Sequence, residues 1–253
     1  MVNRGRITNQ ANIQGTVSVP ESARLRVVVF TVALSLAWVV MCAGRSWSSG
    51  NTAALLGLVN FAILSGWAVW KRDARLLRLL FFGAVVGVVE LLADALCVRF
   101  THTLDYTLAR SAMVGLSPWW MPLAWTVVAC QIGYLGARLM DWLGPMRGAI
   151  CAALLGAVNI PFYEEMAYWT HWWQYRDCVR IGHTPVYIIA AEFVIGLAFA
   201  PLSHETLKQN TNRAALLCGI GGGLATIAGG LIGYGLVERI LPYVLGTRTT
   251  LLP

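Results

Sequence analysis

Apolar runs alternate with short polar clusters along most of the chain. The runs reach about 17–25 residues, the length of helix that crosses a bilayer. The first lies at about Arg26 to Gly44 and the second at about Thr52 to Trp70, and the third covers about Leu77 to Val98. Ser117-Pro118 reads as a cap followed by proline at the first helical position, opening a fourth span through about Gly136. A fifth starts near Met146 and meets Pro161, which should kink or end it. Thr184-Pro185 gives the same signal for a sixth span that ends near Pro201, and a glycine-rich seventh covers about Ala214 to Leu241. The pattern predicts an all-α fold, a polytopic transmembrane helical bundle of about seven spans. Residues 1–25 are polar and aperiodic and read as a disordered cytoplasmic tail. Residues 26–245 then form one transmembrane domain and 246–253 a C-terminal tail. The first run is too long for a signal-peptide core, and Met41 is too large to precede a lipid-modified Cys42.

Composition sharpens this reading. Only 12% of residues are charged, against about a quarter in soluble domains, which leaves no soluble domain to find. With seven spans, the N-terminal tail and loops 2–3, 4–5 and 6–7 share one side, and Arg4, Arg6, Lys71, Arg72, Arg75, Arg138, Arg147 and Lys208 fall there. That bias places the N-terminus in the cytoplasm. The net charge of +7 is thus a membrane-side signature, and no nucleic-acid partner is expected. The six cysteines stand singly, without a C-x-x-C pair, and read as small buried hydrophobes; neither a disulfide framework nor a zinc finger is expected.

Against this apolar background a few acids matter. Glu90 and Asp94, four residues apart, share a helix face. Two carboxylates there repel and lose hydration, so they share a proton, hold a cation, or meet a partner such as Arg99 or Arg110. Glu164 and Glu165 follow Pro161; continued as helix, Glu164-Tyr168-His171-Tyr175 makes one stripe and Glu165-Trp169-Trp172-Arg176 the next. Glu192 sits in apolar surroundings about two turns into its span, and must face the bundle interior, protonated or hydrogen-bonded. The predicted topology brings these acids to one depth, in the outer half of the bilayer, together with Trp119 and Trp120. His102, His171 and His183 lie on the same side, but no H-x-x-x-H, H-E-x-x-H or E-x-x-H spacing supports a metal site, and none is assigned. Gly219-x-x-x-Gly223 and Gly229-x-x-x-Gly233 read as helix-packing surfaces.

Glu90/Asp94 on one helix, Pro118-Trp119-Trp120 opening another, and Pro161…Glu164-Glu165…Trp172-Trp173…Tyr175 resemble the small integral-membrane terpene and carotenoid cyclases and hydratases over about the middle half of the chain. The phrase His183-Thr184-Pro185-Val186-Tyr187…Glu192 is similar to an uncharacterised family of bacterial multi-pass membrane proteins. The intramembrane proteases that begin with Glu-Glu-x-x-x-Arg do not fit, because Tyr168 and Trp169 stand where the arginine should be.

The expectation is an enzyme of an inner or plasma membrane that takes a lipophilic, isoprenoid small molecule from the bilayer. A buried carboxylic acid protonates the substrate, and aromatic rings stabilise the carbocation. Glu164 or Glu192 is the expected proton donor, with Glu90, Asp94 and Glu165 as further catalytic candidates. Trp119, Trp120, Tyr168, Trp169, Trp172, His171 and Tyr187 are expected to line the pocket, without a cofactor. The alternatives are a proton- or cation-coupled transporter, or a metal-dependent hydrolase built on the outer His/Glu/Asp cluster. No half-to-half repeat stands out, which weakens the transporter.

Overall fold

The computed structural model describes residues 19–45 and 47–244. Both expected tails lie largely outside that range. Seven helices are long and apolar enough to span a membrane: α1 (Glu21–Gly44), α2 (Gly50–Trp70), α3 (Ala74–Ala95), α4 (Met121–Leu143), α5 (Pro145–Trp169), α6 (Val186–Gln209) and α7 (Asn212–Tyr234). The chain is an all-α, multi-pass membrane protein. A π-helical turn, Leu96–Phe100, prolongs α3, and another, Gly235–Ile240, carries α7 into the short α8 (Leu241–Val244). All six cysteines are free.

Local chemistry sets the helix ends. Ser49, Asp73 and Thr211 each accept backbone N–H groups at the starts of α2, α3 and α7. Several expected boundaries move. α1 begins five residues before Arg26, so Arg24 belongs to a helix and not to the tail. α5 runs through Pro161 and α6 through Pro201. Ser117-Pro118 and Thr184-Pro185 are not first turns but the second strands of tight hairpins. Inside lipid, a proline costs a helix less than its missing N–H suggests, since neighbouring groups meet the freed carbonyls.

The α3–α4 and α5–α6 connections lie at one end of the bundle, called here the hairpin end. Strand β1 (Leu104–Asp105) belongs to the first connection and β4 (Gln174–Tyr175) to the second, and they pair antiparallel. Hairpin β2 (Met113–Val114)–β3 (Ser117–Pro118) leads into α4, and β5 (Arg180–Ile181)–β6 (Thr184–Pro185) leads into α6.

α4 runs through the middle of the bundle and touches α1, α2, α3, α5 and α6, while α7 packs on α3 and α6. Close approach holds α3 in register: a side chain at Gly83 or Gly87 would strike the carbonyls of Thr126 or Pro122 on α4. Gly223 and Gly233 do the same for α7, against Val89 and the Tyr187 carbonyl, so both small-residue motifs of α7 serve packing.

An ion network closes the end opposite the hairpins. Arg24 and Asp73, each 3% exposed, form a paired bond with Nε–Oδ2 at 2.7 Å and Nη2–Oδ1 at 3.0 Å. Glu21 accepts from Arg24, Arg138 and the Tyr134 hydroxyl. Asp141 pairs with Arg138 and with His204, whose Nε2 lies at 3.1 Å.

Candidate functional site: an acidic cavity on an internal repeat

Between α3, α4, α5, α6 and α7, beneath the hairpin end, lies a cavity of about 400 Å³. Glu90 and Asp94 of α3, Glu164 of α5 and Glu192 of α6 all line it. The first three are buried and Glu192 is partly buried. Among the described residues, no Lys, Arg or His lines the cavity. Arg99 and Arg110, the expected cationic partners, are exposed and bond neither acid.

The acids instead meet neutral donors. The Tyr106 hydroxyl donates to Asp94 Oδ2 at 2.8 Å. Trp173 Nε1–H donates to Glu164 Oε2 at 2.6 Å, and the Tyr175 hydroxyl reaches Oε1 at 3.4 Å. Glu90 Oε2 is buried and, among the described residues, has no hydrogen-bond partner. Burial pushes the phenols of Tyr106 and Tyr175 well above their ordinary range, and the nearby acids add to it, so both remain O–H donors. Just outside, Asp105 bridges the β1–β4 pair. Partial burial opposes its ionisation, but bonds from Thr107, Gln174 and Arg176 outweigh that and hold its carboxyl below the usual carboxylate range.

The aromatic wall differs from the expected one. Trp125, Tyr106, Tyr163, Trp173 and Tyr175 line the cavity, while Trp119, Trp120, Tyr168, Trp169, Trp172, His171 and Tyr187 do not. The stripes assumed helix beyond Trp169, but α5 ends there and His171 turns left-handed at φ 56°. Trp120 and Tyr187 are fully buried under the hairpins, and Trp172 is buried with its indole N–H on Thr52. Tyr187 bonds Thr103 at 2.7 Å. Trp119 and Trp169 are exposed. Glu165 also leaves the cavity. It accepts from Trp169 and from the His183 backbone, and His183, its ring stacked on Tyr168, meets Glu165 through Nδ1 at 2.9 Å. Among the described residues, no three His, Cys, Asp or Glu side chains group as metal ligands.

The structure exposes a repeat that the hydropathy pattern hides. Thr101-His102-x-x-Asp105-Tyr106 after α3 corresponds to Thr170-His171-x-x-Gln174-Tyr175 after α5. Gly115-x-Ser117-Pro118 before α4 corresponds to Gly182-x-Thr184-Pro185 before α6. The backbone agrees: His102 and His171 both have φ 56°, Arg110 and Asp177 both φ 50°, and the two glycines φ 64° and 61°. Asp105 pairs directly with its counterpart Gln174 in the β1–β4 ladder, as strands related by a local two-fold axis must. The axis runs into the cavity. Met121, Ala124, Trp125 and Val128 of α4 line it, and so do their counterparts Ile188, Ala191, Glu192 and Ile195 of α6. Ala93 and Asp94 of α3 answer to Tyr163 and Glu164 of α5, and Tyr106 answers to Tyr175. Two acid–tyrosine pairs, Asp94–Tyr106 and Glu164–Tyr175, are therefore equivalent positions of one motif. The signal was present in the sequence as the two Thr-His and Gly-x-Ser/Thr-Pro phrases.

Comparison with curated proteins returns no match, and neither does comparison with solved structures. Nothing among the comparisons carries the resemblance to terpene or carotenoid cyclases and hydratases. A family match does extend over residues 91–237, more than half of the chain, from the last turn of α3 through α7. It takes in both phrases of the repeat together with Asp94, Glu164 and Glu192. The chain belongs to the family described as a domain of unknown function, DUF6989.

Proposed function

We propose that the protein is an integral-membrane enzyme of a cell inner or plasma membrane that acts on a lipophilic, isoprenoid substrate by carboxylic-acid protonation. One observation carries this reading: four carboxyl groups share an apolar, aromatic-lined cavity with no cation among its lining residues. Acids kept for packing alone find a cation, because an unpaired buried charge is costly. Acids that donate a proton need apolar surroundings that favour the neutral form. In this reading one acid delivers its proton to an alkene or epoxide. Trp125, Trp173, Tyr163, Tyr106 and Tyr175 offer ring faces to the cation that forms. Glu164 and Glu192 are the first candidates for the donor, with Glu90 and Asp94 as partners. The purified protein, incubated with a panel of polyprenols and their epoxides, should yield a new product by mass spectrometry. Glu90→Gln, Asp94→Asn, Glu164→Gln and Glu192→Gln are each expected to cut turnover by at least about 100-fold, within the usual contribution of a positioned acid. Full activity in all four would reject the proposal.

The repeat favours a second reading, a proton-coupled transporter, since parallel repeats about an axis along the membrane normal occur among transporters. Proton-driven uptake into liposomes, without chemical change of the solute, would identify it.

A further inference from the structure

We propose that the cavity is a binding site for a lipophilic monocation with a single long chain, its charge held on the repeat axis and its chain lying between α4 and α5. The proposal shares the cavity with the enzyme reading but needs no turnover.

The charge site follows from what is missing. Asp94 and Glu164 sit at equivalent positions, each taking a tyrosine hydroxyl at one oxygen. Glu90 Oε2, fully enclosed, has no hydrogen-bond partner among the described residues. A buried oxygen without a donor represents unmet hydrogen-bonding or charge demand. The surrounding rings of Tyr106, Trp125, Tyr163, Trp173 and Tyr175 suit an ammonium without N–H groups, which binds through ring faces and carboxylate charge. A neutral ligand of the same shape would use neither.

The chain site follows from the cavity's shape. Its lining along α4 continues from Met121 at the hairpin end to Leu139 near the other, a rise of about 27 Å at helical pitch. The acids occupy only the hairpin part. Leu135, Gly136 and Leu139 of α4, with Ala152 and Leu155 of α5 and Val32 of α1, form an apolar arm beyond them. Leu155 is 58% exposed, which places the arm's side wall against the bilayer. Because lipid tails are as apolar as the arm, the chain adds little affinity by the hydrophobic effect. Discrimination must come from the charged end.

The test uses dodecyltrimethylammonium and its uncharged tert-butyl isostere, with the full chain in nanodiscs of zwitterionic lipid and empty nanodiscs as blank. The ammonium should bind at least about tenfold more tightly than the isostere, and should release about one proton per bound cation as it replaces the proton held among the acids. Asp94→Asn and Glu164→Gln should each weaken ammonium binding about tenfold and leave the isostere unchanged. Leu135→Trp, about 15 Å along α4 from Trp125 at helical rise and so within reach of a dodecyl chain, should weaken dodecyltrimethylammonium several-fold but not its butyl homologue. Equal affinity for ammonium and isostere, or unchanged ammonium binding in both acid variants with monodisperse protein, would overturn the proposal. The two proposals fail separately. Selective cation binding with undiminished turnover in the four acid variants sinks only the enzyme reading. Acid-dependent turnover without cation selectivity sinks only this one.

Discussion

The network that closes one end of the bundle and the cavity beneath the other hold their acids in opposite ways. At the end opposite the hairpins, Asp73 is buried against Arg24, Glu21 gathers Arg24, Arg138 and Tyr134, and Asp141 lies between Arg138 and His204. In the cavity, Asp94 takes the Tyr106 hydroxyl and Glu164 takes Trp173 and Tyr175, and among the described residues no donor meets Glu90 Oε2. The same chain thus supplies matched cations where acids serve structure and withholds them where acids face empty space. Burial alone does not separate the two groups, since Asp73 and Glu90 are equally inaccessible; the chemistry of the partner does.

The contrast breaks first at Arg24. Arg24→Ala leaves Asp73 enclosed without its cation, and should cost about 3–5 kcal/mol, seen as a lower thermal midpoint in detergent; restoring much of it with Asp73→Asn would confirm the pair as the cause. Tyr106→Phe is the intermediate case. Removing the Tyr106 hydroxyl that donates to Asp94 should cost about 1–3 kcal/mol, and a loss as large as that of Arg24→Ala would erase the distinction. Glu164→Gln and Glu90→Gln each replace a buried carboxyl that no cation offsets with a neutral amide of the same shape, and should change stability by less than about 1 kcal/mol or raise it. A destabilisation of several kcal/mol would mean these acids are structural after all. The smallest effect belongs to Asp105, whose folded carboxyl lies below the unfolded value of about 3.9. Its contribution is present above that value and disappears as pH falls through the folded one. Arg176 is 56% exposed, so solvent screening should keep the contribution below about 1 kcal/mol. Asp105→Asn should flatten the acid limb of the stability curve, and an unchanged limb would assign it to other groups.

Much of this was readable in the sequence. Long apolar runs specify the seven helices, and counting spans puts Glu90, Asp94, Glu164 and Glu192 at one level without any contact being known. The aromatic wall is not legible there, because helical spacing stops at Trp169. A left-handed His171 ends that spacing, and single residues of that kind leave no trace in hydropathy. The repeat escaped for a related reason. Its two copies keep the same spacing from Thr-His to tyrosine, but they differ in the distance from that tyrosine to the next glycine, and the π-helical turn after α3 shifts Asp94 by one place against Glu164. Proline alone does not mark helix ends in this chain: Pro161 and Pro201 sit inside continuous helices, and Ser117-Pro118 closes a hairpin.

Gly144, at φ 84°, and Pro145 form the corner where the first copy of the motif hands over to the second. Severing the polypeptide there would divide the carboxyl groups two and two, Glu90 and Asp94 on one fragment, Glu164 and Glu192 on the other. Neither fragment would own a chamber; the chamber would return only when the fragments met in the same membrane.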